Sequence, residues 1–230
     1  MNRFYKDVSV SPVGDGFAVL LDGRGIKTPA GKAFIVPTQK LADAIADEWR
    51  AQGETVEPTT MPLLRLSNTA IDGISANRPQ TIDAILRYGD NDLLCYRAHE
   101  PPALAGLQAE GWDPLLAWVD ATHGARLTVV AGVTHADQPP AALAALRAAV
   151  EGQDDYALAG LHVIASITGS LVLALAAAAG QVDAPRAFAL SRIDENYQAG
   201  IWGMDAEAEA RANHLAQELG HAFALMALSR

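Results

Sequence analysis

Between residues 4 and 36, apolar positions come in short runs: FYKDVSVS, GFAVLLDG, GIKT and KAFIVPT, separated by VGDG, DGRG and TPAG. Gly-Asp and Pro-Gly pairs favour the backbone conformations of tight turns, so this spacing predicts a small antiparallel sheet. At Thr38 the period changes. Leu41, Ala42, Ile45, Ala46 and Trp49 recur at helical spacing behind a hydroxyl able to cap the first turn. One helix is therefore expected to cover a face of the sheet. In the following VEPTTMPLLRLSN, Pro58 and Pro62 are expected to break regular structure, and a domain boundary is placed near residue 75.

Beyond that point the pattern is mostly helical. Helices are expected over RPQTIDAILRYG, 101–123, PPAALAALRAAVE, 161–180, APRAFALSRIDENYQAG and DAEAEARANHLAQELGHAFALMAL, with DLLCYR and RLTVVAG as short strands or extended links. The expected fold class is α+β: a small β-rich domain over 1–75 with one covering helix, then a larger, mainly α-helical domain over 76–230. The segment 161–180, LHVIASITGSLVLALAAAAG, carries no charged residue apart from His162 and is long enough to span a bilayer. It has no aromatic belt and no Lys or Arg cluster at either end, and Ser166, Thr168, Gly169 and Ser170 dilute it. A helix surrounded by other helices is the expected reading, with Ser170 inside it, and no membrane insertion.

Charge sharpens the division. The chain carries a formal −10, but residues 1–75 hold 8 basic and 9 acidic groups while the remaining 155 hold 9 and 18. All the lysines (Lys6, Lys27, Lys32, Lys40) belong to the first part. Excess carboxylate argues against nucleic acid or anionic lipid as a partner. Cys95 is the only cysteine, which rules out an intrachain disulfide and suits a reducing compartment. The start, MNRFYKDVSVS, resembles neither a secretory signal nor a transit peptide. A bacterial cytoplasmic protein is expected, or a mitochondrial matrix protein only if a leader has been removed.

Few residues offer chemistry. GDGF and GRGIKT lie between strands and lack phosphate-loop spacing, so they read as hairpin turns and no cofactor is expected. Cys95, between Leu94 and Tyr96, reads as a buried apolar residue. His214, Glu218 and His221 fall at i, i+4 and i+7 of the last helix, a plausible ligand chemistry without a known signature. The densest stretch is SRIDENYQAGIWGMDAEAEA, 191–210, with Asp194, Glu195, Asp205, Glu207 and Glu209 beside Tyr197 and Trp202. Asp194 and Glu195 are adjacent, so on a helix they point about 100° apart and cannot flank one bond. The residues alone leave a solvated helix face or a docking face, and interleaved aromatics favour docking. A metal- or carboxylate-dependent hydrolytic enzyme is the alternative.

Eight stretches stand out in order along the chain: RFYKDVSV (3–10), GFAVLLDGRGIKTPAG (16–31), VPT (36–38) with LADAIADEW (41–49), MPLLRLSNTAID (61–72), DLLCYRA (92–98), WDPLLAW (112–118), GSLVLALA (169–176) and SRIDENYQAGIWGMDAEAE (191–209). Together they resemble one family, the assembly chaperones that bind the alpha subunit of the F-type ATP synthase catalytic head. The resemblance runs nearly end to end and implies the same two-part fold. It also implies a non-enzymatic role, in which the chaperone holds the new alpha subunit until its beta partner arrives. Glu195, then Asp194, Arg192, Trp202 and Asp205, are the expected client contacts. A monomer is expected, and Arg192 has a carboxylate neighbour at helical spacing with which it can pair internally.

Overall fold

The computed structural model describes residues 1–230 apart from Val133 and Met204. It contains the small strand region followed by a mostly helical remainder that the pattern predicts. The chain divides into two compact units, one of Met1–Arg78 with Asp154–Gly160 and His221–Arg230, the other of Pro79–Gln153 with Leu161–Gly220.

In the first unit β1 (Val8–Val13) pairs antiparallel with β2 (Gly16–Leu21), from Val8 opposite Leu21 to Val13 opposite Gly16. β2 also pairs with β3 (Arg24–Gly25) and β4 (Ile35–Val36). Of the GIKT run only Gly25 lies in a strand, the end of β3, and KAFIVPT yields just the two residues of β4, with one further bridge between Lys27 and Ala33. Asp22 and Gly23 join β2 to β3 with φ of 50° and 75°, the paired left-handed residues of a two-residue hairpin. The Asp22 carboxylate accepts the Asp7 and Lys6 amides at 2.8 and 3.0 Å, which together hold its carboxyl below the usual range.

Helix α1 (Gln39–Arg50) lies against β1 and β2. Thr38 accepts from the Leu41 amide at 3.1 Å, and the five apolar positions that predict the helix are its buried residues. Pro62 does not interrupt regular structure as expected. It opens α2 (Pro62–Asn68), where a missing N–H costs nothing, and Pro58 likewise opens a 3-10 turn, Pro58–Thr60. Glu48 of α1 accepts the Leu63 and Leu64 amides at 2.7 and 2.9 Å, capping α2 from outside its own sequence. Burial is the main influence on that carboxyl and pushes its pKa up.

The second unit holds α3 (Arg78–Asp90) from Pro79 on, β5 (Tyr96–Arg97), α4 (Pro102–His123), β6 (Val130–Ala131), α5 (Pro140–Glu151), part of α6 (Asp155–Thr168), α7 (Leu171–Ala178), α8 (Ala184–Ser191), α9 (Ile193–Trp202) and part of α10 (Ala206–Leu228). DLLCYR and RLTVVAG contribute β5 and β6, which pair in parallel. The apolar run 161–180 is two helices, not one. Gly169 takes φ 67°, and Ser170 is the N-cap of α7, accepting from the Leu173 amide at 3.0 Å. A hydroxyl expected inside a helix is spent on starting one. Every residue of α7 is buried, which explains its all-round apolar sequence. Among the described residues no helix is long and apolar enough to cross a membrane.

Asp92 sits wholly buried at the same break. Its carboxylate accepts the Leu94 amide at 3.0 Å and the Val172 amide at 2.9 Å, tying the 3-10 turn Leu93–Cys95 to the first turn of α7. An anion here meets the positive end of α7.

Candidate protein-binding face on α4, α8 and α9

α9 has no buried residue, unlike α7, and needs tethers. They come from α4. Gln108, fully buried, lies in phase with Leu104, Trp112, Leu115 and Val119 on the inward face of that helix. Its Oε1 accepts the Ala98 amide at 2.7 Å and its Nε2 donates to Asp194 at 2.6 Å. The Trp112 indole N–H donates to the Leu190 carbonyl at 2.8 Å, at the last turn of α8. Between these two anchors stands Gly111. A Cβ there would lie 2.8 Å from Leu190 Cδ2 and 2.9 Å from Ile193 Cδ1, so the α8–α9 corner approaches α4 only because this side chain is absent.

The corner is a break at Arg192 (φ −123°, ψ 26°), so the predicted single helix over 184–200 is two. α9 runs through Gly200 and stops at Gly203, whose φ is 79°. Arg192 packs its guanidinium 5.6 Å from the Phe188 ring centre and comes within 3.8 Å of Glu195.

The five expected contacts fall into distinct places. Asp194 turns inward to Gln108, whereas Glu195, one residue on, is exposed. Trp202 is 84% exposed and Ile201 56%, at the free end of α9. Asp205 is exposed and accepts the Ala208 amide at 2.7 Å, which makes it the capping residue of α10. Beside α9 an open groove of about 350 Å³ is walled by Leu107, Leu190, Ile193 and Tyr197, with Glu110 and Arg186 also lining it. Leu107 and the groove escape a sequence reading, because an exposed leucine on a long apolar helix is no signal. Gln108 carries one: a polar residue in the phase of Leu104 and Trp112.

These groups converge on no reacting atom. Asp194 and Glu195 diverge, and among the described residues no three His, Cys, Asp or Glu side chains gather closely enough to hold a metal ion, His214, Glu218 and His221 included. The Cys95 thiol is buried, and burial, helped by the charge of Asp92, pushes it up to about 12, far from a reactive thiolate. Exposed aromatic and aliphatic side chains among fixed charges, beside an apolar groove on an anchored helix, are the attributes of a protein that holds other proteins.

Comparison with known proteins agrees. Residues 2–120 match the ATP12 chaperone protein family. The chain is 42% identical to the solved Atp12 of Paracoccus denitrificans, with a TM-score of 0.95 over 100% of this chain and 98% of that one. A solved protein of Agrobacterium tumefaciens is 43% identical, with a TM-score of 0.93 over 100% and 86%. The mitochondrial protein atp12 of Schizosaccharomyces pombe is 26% identical over 214 residues, covering 87% of this chain and 73% of that protein. The chain belongs to the ATP12 family of ATP synthase assembly chaperones, a non-enzymatic class.

Proposed function

We propose that the chain binds the free alpha subunit of F-type ATP synthase and shields its assembly surface until the beta subunit takes its place. Family membership supports the assembly role, and α9 supports the manner. A helix with no buried residue, ending in an indole 84% exposed, is costly to leave against water unless a partner covers it. Subunits of an obligate ring expose large apolar faces when alone, and such faces aggregate. A chaperone has to cover that face and then yield it, so charge for selective encounter and a few aromatics for hold suit the task. In this reading Glu195, Trp202 and Asp205 touch the client, while Asp194 and Arg192 fix the helix that presents them. The protein acts as a monomer, in the bacterial cytoplasm.

The test is light scattering of purified alpha subunit at the temperature where it aggregates. An equimolar amount of this chain is expected to suppress the rise. Equal scattering with and without it would end the proposal.

A further inference from the structure

A second concavity, of about 550 Å³, opens in the first unit, well away in sequence from α9. Its aromatic part is Tyr5 and Trp49, both buried, packed edge to face with ring centres 5.4 Å apart and locked by the Tyr5 hydroxyl donating to the Trp49 carbonyl at 2.6 Å. Phe4, 62% exposed, stands edge-on to Tyr5 at 5.5 Å and also lines the opening. The Trp49 indole N–H is buried and has no acceptor among the described residues. Two cations complete the lining. The Arg24 guanidinium and the Lys27 ammonium are exposed, and neither has a hydrogen bond or ion pair among the described residues. The one acid in the lining, Asp22, accepts the Asp7 and Lys6 amides and lies near enough to Arg24 for that cation to help lower its pKa, which leaves the lining one positive charge in excess.

Such a combination is unusual for this chain. At −10 overall, with its excess carboxylate beyond residue 75, the chain as a whole disfavours acidic partners. Here a lining of net positive charge surrounds an apolar, aromatic hollow of ordinary ligand-pocket size.

We infer that the concavity bounded by Tyr5, Trp49, Arg24 and Lys27 is a second recognition site. It takes an extended peptide segment in which a carboxylate side chain neighbours an aromatic or branched apolar one. The apolar side chain enters beside Tyr5 and Trp49 while the carboxylate meets Arg24 and Lys27. That the occupant is a peptide rests on the chaperone reading; the charge and shape it must have do not. The site is opposite in polarity to α9, so the two accept different parts of a client.

The experiment follows the Trp49 indole N–H in ¹⁵N-labelled protein, assigned by its loss in Trp49→Phe. The probe is an acetylated, amidated leucine-glutamate-phenylalanine-glutamate peptide, with the lysine-for-glutamate version as control. The acidic peptide is expected to shift that resonance saturably, and the lysine version to leave it in place. Arg24→Glu combined with Lys27→Glu is expected to weaken the acidic peptide at least tenfold. An unmoved Trp112 indole resonance in these variants shows that the second unit is intact, and retained Tyr5–Trp49 cross-peaks show the same for the first. No shift at millimolar peptide, equal shifts from both peptides, or indifference to charge reversal would overturn the inference. Failure of the alpha subunit to bind while the acidic peptide still titrates would count against the proposed client only.

Discussion

Replacing Asp92 with alanine is expected to lower the stability of the protein by about 3 kcal/mol or more, the range for removing one partner of a buried charged network. Thermal unfolding should follow with a midpoint roughly 10 °C lower for a chain of this size. The carboxylate is fully buried, and its oxygens serve the Leu94 and Val172 amides with further help from the Ser170 side chain and the Leu171 amide. Alanine would leave those donors unsatisfied at the start of α7, the most buried helix of the second unit. Asparagine keeps one oxygen and is expected to fall between.

The titration of Asp92 gives the same experiment a second axis. Burial, the largest influence, pushes its carboxyl up to about 6 from an ordinary 3.8, against the pull of the donated hydrogen bonds. A folded value above the unfolded one means that this group's contribution is fully present below 3.8 and is lost as the pH rises through about 6. The stability difference between wild type and Asp92→Asn, read by urea titration, is therefore expected to be larger at pH about 5 than at pH about 7. An equal difference at both would show that Asp92 does not titrate in that window.

The second large effect is on the client. Trp202→Ala is expected to weaken alpha-subunit binding roughly thirtyfold, the loss of about 2 kcal/mol that an exposed indole carries once a partner desolvates it. Glu195→Lys, which turns an attraction into a repulsion, should cost about tenfold, with the larger part in the association rate and with a penalty that shrinks as salt is raised. Both side chains are exposed, so unfolding should move by less than about 0.5 kcal/mol. Titration calorimetry with denaturation controls separates the two effects. Binding unchanged in the double variant would remove α9 from the interface.

Much of the fold was legible because local signals and tertiary demands agree. Thr38 and the five buried positions after it mark α1 without ambiguity, and the Asp22–Gly23 turn forms where the sequence places it. The misreadings are equally specific. Proline at 62 looked like a breaker because its role at the first turn depends on Glu48, fourteen residues earlier, supplying the cap. Ser170 looked like a mid-helix residue because nothing local reveals that Gly169 goes left-handed or that Asp92 meets the new helix end from 80 positions away. At the proposed binding face, exposure of Trp202 and Glu195 was within reach of periodicity. The inward turn of Asp194 was not, since it depends on Gln108, and long-range polar pairing leaves no trace in spacing.

The most direct test of α9 as the client-holding element is hydrogen exchange on the chain alone and in complex with purified alpha subunit. Complex formation is expected to slow exchange across Ile193–Trp202 and around Leu107, while the interior of α7 stays slow in both states. A stable complex in which those α9 amides exchange as fast as in the free chain would place the client elsewhere and contradict the account.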